Sequence, residues 1–155
     1  PRIEALAKAV SARPTWKFEL VVVPEGGAAD TAQNWTPAEI AARIHEARML
    51  AGAGHGEAAL LLAWSACEAA ARFLALSENL DVQRWMPSAM FRQLVHAGLL
   101  DNADLQAIED ARITRNRLTH GLSGIGDPSG LALNVTRVAE NLLRELELGE
   151  ESRES

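Results

Sequence analysis

The stretch from Gly56 to Leu76 constrains the fold of this chain most, because it is apolar on almost every side of a helix. It is dominated by Ala and Leu, which are strong helix formers and mediocre strand formers. A helix that is apolar all round needs neighbours all round, so we expect a central buried helix. Two charges, Glu68 and Arg72, lie well inside it and argue against a membrane span. We therefore expect a soluble, cytoplasmic protein with no membrane partner.

Composition narrows the classes of function. The chain has 155 residues, enough for one well-cored domain, and a formal net charge of −6, which argues against a broad basic surface for duplex nucleic acid. A small basic pocket that binds one or two phosphates remains compatible with that charge. Cys67 is the only cysteine, so the chain has neither an intramolecular disulfide nor a thiolate metal cluster. The histidines at 45, 55 and 96 lack paired ligand spacing, so we predict no metal site and no cofactor.

Local signals place the remaining helices. Thr36-Pro37-Ala38-Glu39 has the pattern of a capping box with Pro at the first helical position, and it predicts a helix start. One apolar stripe follows on that helix, formed by Ile40, Ile44, Ala47 and Ala51. The other predicted elements are a short helix near 88–97, a long helix over 101–120, a Gly-rich loop at 124–130 and a final helix over 131–148.

The N-terminal part differs from the rest. A short helix is predicted over 2–12. The stretch 16–23 alternates between apolar and charged residues and then runs β-branched, which predicts a single strand, followed by a linker. A lone strand leaves its backbone groups unpaired. We favour pairing with a domain that precedes Pro1 in a longer protein; a symmetry mate or another strand are the alternatives. The predicted fold is all-α: an up-down four-helix bundle with a short extra helix and one N-terminal β-strand arm. Its parts are an arm at 1–34, a helical domain at 35–148 and a disordered tail at 149–155.

The motif that carries chemistry ends the long helix over 101–120. Within six positions, Arg115, Asn116 and His120 offer a permanent cation, a carboxamide and a titratable imidazole, directly before the helix-terminating Gly121. These groups are suited to holding a phosphate and moving a proton near neutral pH.

Helical geometry separates the members of this motif. Arg115 falls within the apolar arc of its helix, so its charge needs a compensating group. We predict a carboxylate–guanidinium fork between Glu68 and Arg115; the alternative pairs Glu68 with Arg72 one turn on, and both arrangements can coexist. Arg112 lies beside Arg115 and is a further candidate for anion binding.

His120 lies about 140° around the helix from Arg115, on the side that also carries Asn116 and Ile113. The negative end of the helix dipole favours the imidazolium form there, which suits phosphate binding or proton donation. The alternative is a surface histidine that only closes the helix.

The pattern Arg115-Asn116-Arg117-Leu118-Thr119-His120 resembles the R-x4–6-H motif of the HEPN superfamily, and the stretch 35–148 resembles its helical domain. The resemblance implies a metal-independent ribonuclease of a toxin–antitoxin or antiviral defence system, acting as a homodimer with a composite cleft. It further implies that His120 is the acid–base group, that Arg115 holds the phosphate, that Asn116 orients one of them, and that Glu68 is the acidic residue facing the motif.

Other HEPN-like domains bind rather than cut, and serve as dimerisation or nucleotide-sensing modules of larger proteins. The acidic charge and the unpaired strand favour this second interpretation. The partners expected from the two interpretations are a second copy of the chain, an RNA or nucleotide, and an antitoxin or a fused second domain.

Overall fold

The computed structural model describes residues 35–80, 87–124 and 126–154, and only the backbone from residue 150 onward. The described residues all belong to one compact unit, Asn34–Ser155. The predicted helix at 2–12 and strand at 16–23 lie outside the described residues. The described part is a bundle of helices without a strand, and these are α1 (Pro37–Gly52), α2 (Gly56–Ser77), α3 (Pro87–His96), α4 (Asn102–Thr119) and α5 (Pro128–Glu154).

The predicted start and buried stripe of α1 are confirmed. The Thr36 backbone N–H donates to the Glu39 carboxylate at 2.7 Å, and the Glu39 N–H donates back to the Thr36 hydroxyl at 3.3 Å, which completes the capping box. The hydrogen bonds from Thr36 lower the pKa of Glu39. The buried residues of α1 are Ile40, Ile44, Ala47 and Ala51.

Helix α2 is the centre of the bundle, as its apolar composition predicts, and it contacts each of the other four helices. By length and composition alone Gly56–Ser77 could cross a membrane, but 56% of its most apolar window is buried inside the protein. Burial of this extent is typical of a helix in the core of a bundle. The core that surrounds α2 includes Phe91 of α3, Ile108 of α4 and Leu142 of α5.

Helix α5 is longer at both ends than the predicted 131–148. It begins at Pro128, because Asp127 accepts a hydrogen bond from the Ser129 N–H at 3.0 Å and Pro suits the first helical position. The predicted loop over 124–130 therefore ends three residues too late, because residues 128–130 are helical. The helix also continues through Gly149 to Glu154, beyond the predicted helix end at Leu148. One Gly costs a helix only about 1 kcal/mol, and the following Glu and Arg residues are good helix formers.

Polar contacts connect α5 to two other helices. Asp104 of α4 is only 5% exposed; it pairs with Arg137 at 2.7 Å and accepts a hydrogen bond from Asn141 at 3.1 Å. Arg48 of α1 pairs with Glu140 at the surface, with one contact at 2.7 Å. The buried carboxylate of Asp104 has both oxygens paired, so its burial is compensated.

Candidate functional site

The end of α4 is built as a Schellman motif, which determines where His120 sits. The Leu122 N–H donates to the Arg117 carbonyl at 2.9 Å, and the Gly121 N–H donates to the Leu118 carbonyl at 3.0 Å. Gly121 has φ +71°, a left-handed conformation that favours Gly. His120 is the C-cap residue and its side chain is exposed. It therefore projects beside the last carbonyls of the helix, at the negative end of the helix dipole.

Arg115 is half-buried, and its charge is not compensated in the way the sequence predicts. Its guanidinium lies over the ring of Trp64, 5.2 Å from the centroid, and its Nη1 donates to the Asn116 side-chain oxygen at 2.9 Å. Among the described residues, no ion pair joins Glu68 to Arg115 or to Arg72. The predicted Glu68–Arg115 fork is therefore wrong, and so is the alternative Glu68–Arg72 pair.

The reason is the nature of the guanidinium. It is planar and weakly hydrated, so the face of an indole ring attracts it without a carboxylate. Trp64 is only 3% exposed and presents one ring face to Arg115, while Phe91 meets it edge to face at 6.1 Å. Since Arg115 is only half-buried, full neutralisation of its charge is not required.

Arg115 and Glu68 nevertheless line the same pocket, which lies between α2, the start of α3 and α4. Its volume is about 130 Å³, enough for one small planar group. The residues around it are Trp64, Glu68, Pro87, Ser88, Arg112, Arg115 and Asn116. Arg112 donates from Nε to Glu109 at 2.6 Å, and its side chain is 38% exposed. The pocket thus has a cationic side on α4 and one carboxylate on α2.

Two polar atoms on α2 are buried without a hydrogen-bond partner. They are the indole Nε1 of Trp64 and the Oε1 of Glu68, and both residues line the pocket. An indole N–H only donates, and an ionised carboxylate only accepts. Leaving such groups unpaired in a protein interior costs on the order of 1–3 kcal/mol each, so buried polar atoms of this kind bind an ordered water or a ligand.

His120 does not line this pocket. Asn116 lines it and uses its oxygen for Arg115, and no hydrogen bond joins the side chains of Asn116 and His120 within the described ranges. Seven positions before His120, on nearly the same side of the helix, Ile113 is 50% exposed. Beyond the helix end, Leu122 is 52% exposed. His120 is thus accompanied by two apolar side chains open to solvent.

The structure brings together Glu68, Arg112, Arg115 and Asn116 from the predicted set, and leaves out Arg72, which is exposed, and His120. Neither Trp64 nor Ser88 is predicted from the sequence as a site residue. The spacing of Trp64 and Glu68, one helical turn apart, was the available signal for Trp64.

Comparisons with protein-family models, curated proteins and solved structures give no significant match to this chain. Among the described residues, no group of three or more His, Cys, Asp or Glu side chains is placed to hold a metal ion.

Proposed function

We propose that this chain contains a HEPN-like domain, an up-down bundle at its core, that cleaves RNA without a metal ion as a homodimer. The observation that carries the proposal is the convergence of Arg112, Arg115 and Asn116 on one pocket, with His120 at the exposed cap of the same helix. A guanidinium pair and an amide suit a phosphodiester, and an imidazole suits proton transfer near neutral pH.

The reaction proposed is attack of a ribose 2′-hydroxyl on the adjacent phosphorus. The new P–O2′ bond forms, the P–O5′ bond breaks, and the products are a 2′,3′-cyclic phosphate and a 5′-hydroxyl. His120 removes the proton from the 2′-hydroxyl or supplies one to the leaving oxygen. Arg115 holds the phosphate and stabilises its developing charge, and Asn116 orients the guanidinium through their 2.9 Å hydrogen bond.

A second copy of the chain is part of the proposal because one subunit separates its own groups. Arg115 faces the pocket, whereas His120 lies about 140° around α4 and outside it. The exposed Ile113 and Leu122 beside His120 support a docking face on that side. Two copies that meet there form one composite cleft, in which His120 of one subunit acts on a phosphate that Arg115 of the other subunit holds.

The dimer has its own test in Ile113→Asp, which places a charge at this face. We expect sedimentation velocity to show a monomer for Ile113→Asp and a dimer for the wild type and for the exposed control Leu133→Asp on α5. A wild-type monomer at all concentrations, or a dimer that tolerates Ile113→Asp, contradicts the composite site.

A second candidate function is a nucleotide- or RNA-binding module of a larger protein that does not cut. One observation favours it: His120, the acid–base candidate, is outside the pocket that Arg115 and Asn116 line. Under this proposal the pocket binds the ligand and His120 only closes α4.

Cleavage of single-stranded RNA in EDTA separates the two functions. Under the first, His120→Ala and Arg115→Ala each lower the single-turnover rate by roughly 100-fold or more. The control His45→Ala removes an exposed imidazole of α1 and leaves the rate unchanged. Binding of RNA without cleavage at high protein concentration supports the second function and overturns the first.

The setting of the first function is proposed from the resemblance alone: a cytoplasmic toxin–antitoxin or antiviral defence system, with an antitoxin or a fused domain as partner.

A further inference from the structure

The pocket between α2, α3 and α4 contains polar groups that phosphate binding does not use. Phosphate binding accounts for Arg112, Arg115 and Asn116. It does not account for the unpaired Trp64 Nε1 and Glu68 Oε1 on the opposite, α2 side. A phosphate oxygen placed against Glu68 would be repelled, because both groups are negative. These two atoms therefore face a different part of the ligand.

The α2 side has a defined hydrogen-bonding requirement. Trp64 offers one N–H and requires an acceptor, whereas the ionised Glu68 carboxylate requires donors. Glu68 makes no hydrogen bond or ion pair with any described residue, so neither of its oxygens has a partner among the described residues. The complementary ligand presents a carbonyl oxygen next to N–H groups along one edge.

Ring stacking does not provide the recognition here. The guanidinium of Arg115 lies over the Trp64 ring, and Phe91 packs against the ring edge to face. What Trp64 has left to offer is its N–H edge. The pocket therefore recognises its ligand by hydrogen bonds along one edge of the ligand. Its volume of about 130 Å³ accommodates one planar group.

We infer that the pocket binds a guanine base, whose O6 accepts from Trp64 Nε1 and whose N1–H and N2–H donate to Glu68. Among the four RNA bases, only guanine combines one carbonyl acceptor with two adjacent N–H groups on one edge. Uracil sets a carbonyl oxygen against the second carboxylate oxygen. Cytosine sets its unprotonated N3 against the first carboxylate oxygen, and adenine has no carbonyl oxygen and only one N–H group on that edge. Two parallel N–H···O bonds to a carboxylate are stronger and more specific than one.

The inference rests on the proposed function for its phosphate end, since Arg112 and Arg115 are taken to hold the phosphate attached to the guanosine. It adds a specificity: RNA is cut next to guanosine, and Trp64 and Glu68 determine that choice. Both are specificity residues rather than catalytic ones.

Isothermal titration with the four nucleoside 3′-monophosphates and with inorganic phosphate tests the inference. We expect the guanosine nucleotide to bind the wild type tightest. Glu68→Gln and Trp64→Phe should each weaken that binding roughly 10-fold to 100-fold and leave the other three nucleotides nearly unchanged. The matched control Glu57→Gln, an exposed residue of α2, should keep the preference. Circular dichroism verifies that each variant is folded.

Equal binding of all four nucleotides by the wild type, or a guanosine preference that survives Glu68→Gln and Trp64→Phe, overturns the inference. The comparison of the four nucleotides in the wild type does not depend on any variant folding. Cleavage of RNA without base preference overturns the guanine pocket and leaves the ribonuclease proposal intact. Guanosine binding that depends on Trp64 and Glu68, without cleavage, supports the pocket and overturns the ribonuclease.

Discussion

The close approach of α2 to the start of α5 makes Gly56→Ala a quantitative test of the packing. A Cβ at residue 56 would lie 2.5 Å from the Ser129 Oγ, 2.8 Å from the Ser129 backbone nitrogen and 3.3 Å from the Pro128 carbonyl carbon. The hydroxyl can rotate away, but the backbone nitrogen cannot move without shifting α5. Overpacking of this kind costs about 1–3 kcal/mol. For a unit of this size, a loss of that much unfolding free energy lowers the Tm by roughly 3–10 °C.

The matched control is Gly52→Ala in the last turn of α1, where a Cβ meets nothing within 4 Å. Since Ala is a better helix former, this variant should be neutral or stabilised by up to about 1 kcal/mol. In the double variant Gly56→Ala, Ser129→Ala, only part of the loss should return, because the backbone contact remains. Thermal unfolding by circular dichroism measures all three. An unchanged Tm for Gly56→Ala, or a Tm that returns fully to the wild-type value in the double variant, contradicts a close backbone contact between α2 and α5.

Three further predictions concern single residues. Burial, and to a lesser extent the charge of Glu68, raises the pKa of the Cys67 thiol. Iodoacetamide should therefore label Cys67 only after unfolding in urea, and labelling of the native protein contradicts this. The free energy of unfolding should also fall as the pH rises past about 8.5, the ordinary pKa of a thiol, because the unfolded chain then loses a proton that the folded chain keeps. Asp104→Ala removes the buried partner of the half-exposed Arg137 and should lower the free energy of unfolding, measured in urea, by about 1–3 kcal/mol. The exposed control Glu147→Ala should change it by less than about 0.5 kcal/mol. Equal losses in the two variants contradict a stabilising role for the buried pair. Gly121→Ala places a side chain at φ +71° and should cost about 1 kcal/mol in thermal unfolding, and a Tm equal to that of the wild type contradicts the strain.

The helical core is predictable because its signals are local. The capping box at Thr36 and the left-handed Gly121 act within a few residues of the chain, and the apolar surface of α2 requires neighbours whatever their order. Helix ends were less predictable. Gly130 suggested a loop, but the cap formed by Asp127 outweighs the cost of one Gly and starts α5 at Pro128.

The sequence names four residues that line the pocket, Glu68, Arg112, Arg115 and Asn116, but it does not give their contacts. Sequence reasoning identified Arg115 as a charge on an apolar face, which the structure confirms as half-buried. It then assigned Glu68 as the partner, because opposite charges on adjacent helices are the simplest solution. The choice of Trp64 instead depends on which ring face meets α4, and helical periodicity does not contain that information. The unpaired Trp64 Nε1 and Glu68 Oε1 follow from that same packing.

In the proposed reaction, the Arg115–His120 motif promotes attack of a ribose 2′-hydroxyl of the RNA on the adjacent phosphate. The most direct test is mass spectrometry of the ends left when the wild-type protein acts on a single-stranded RNA in EDTA. We expect fragments that end in a 2′,3′-cyclic phosphate and begin with a 5′-hydroxyl, and we expect none with His120→Ala. Intact RNA, or fragments with a 3′-hydroxyl and a 5′-phosphate, would contradict this reaction.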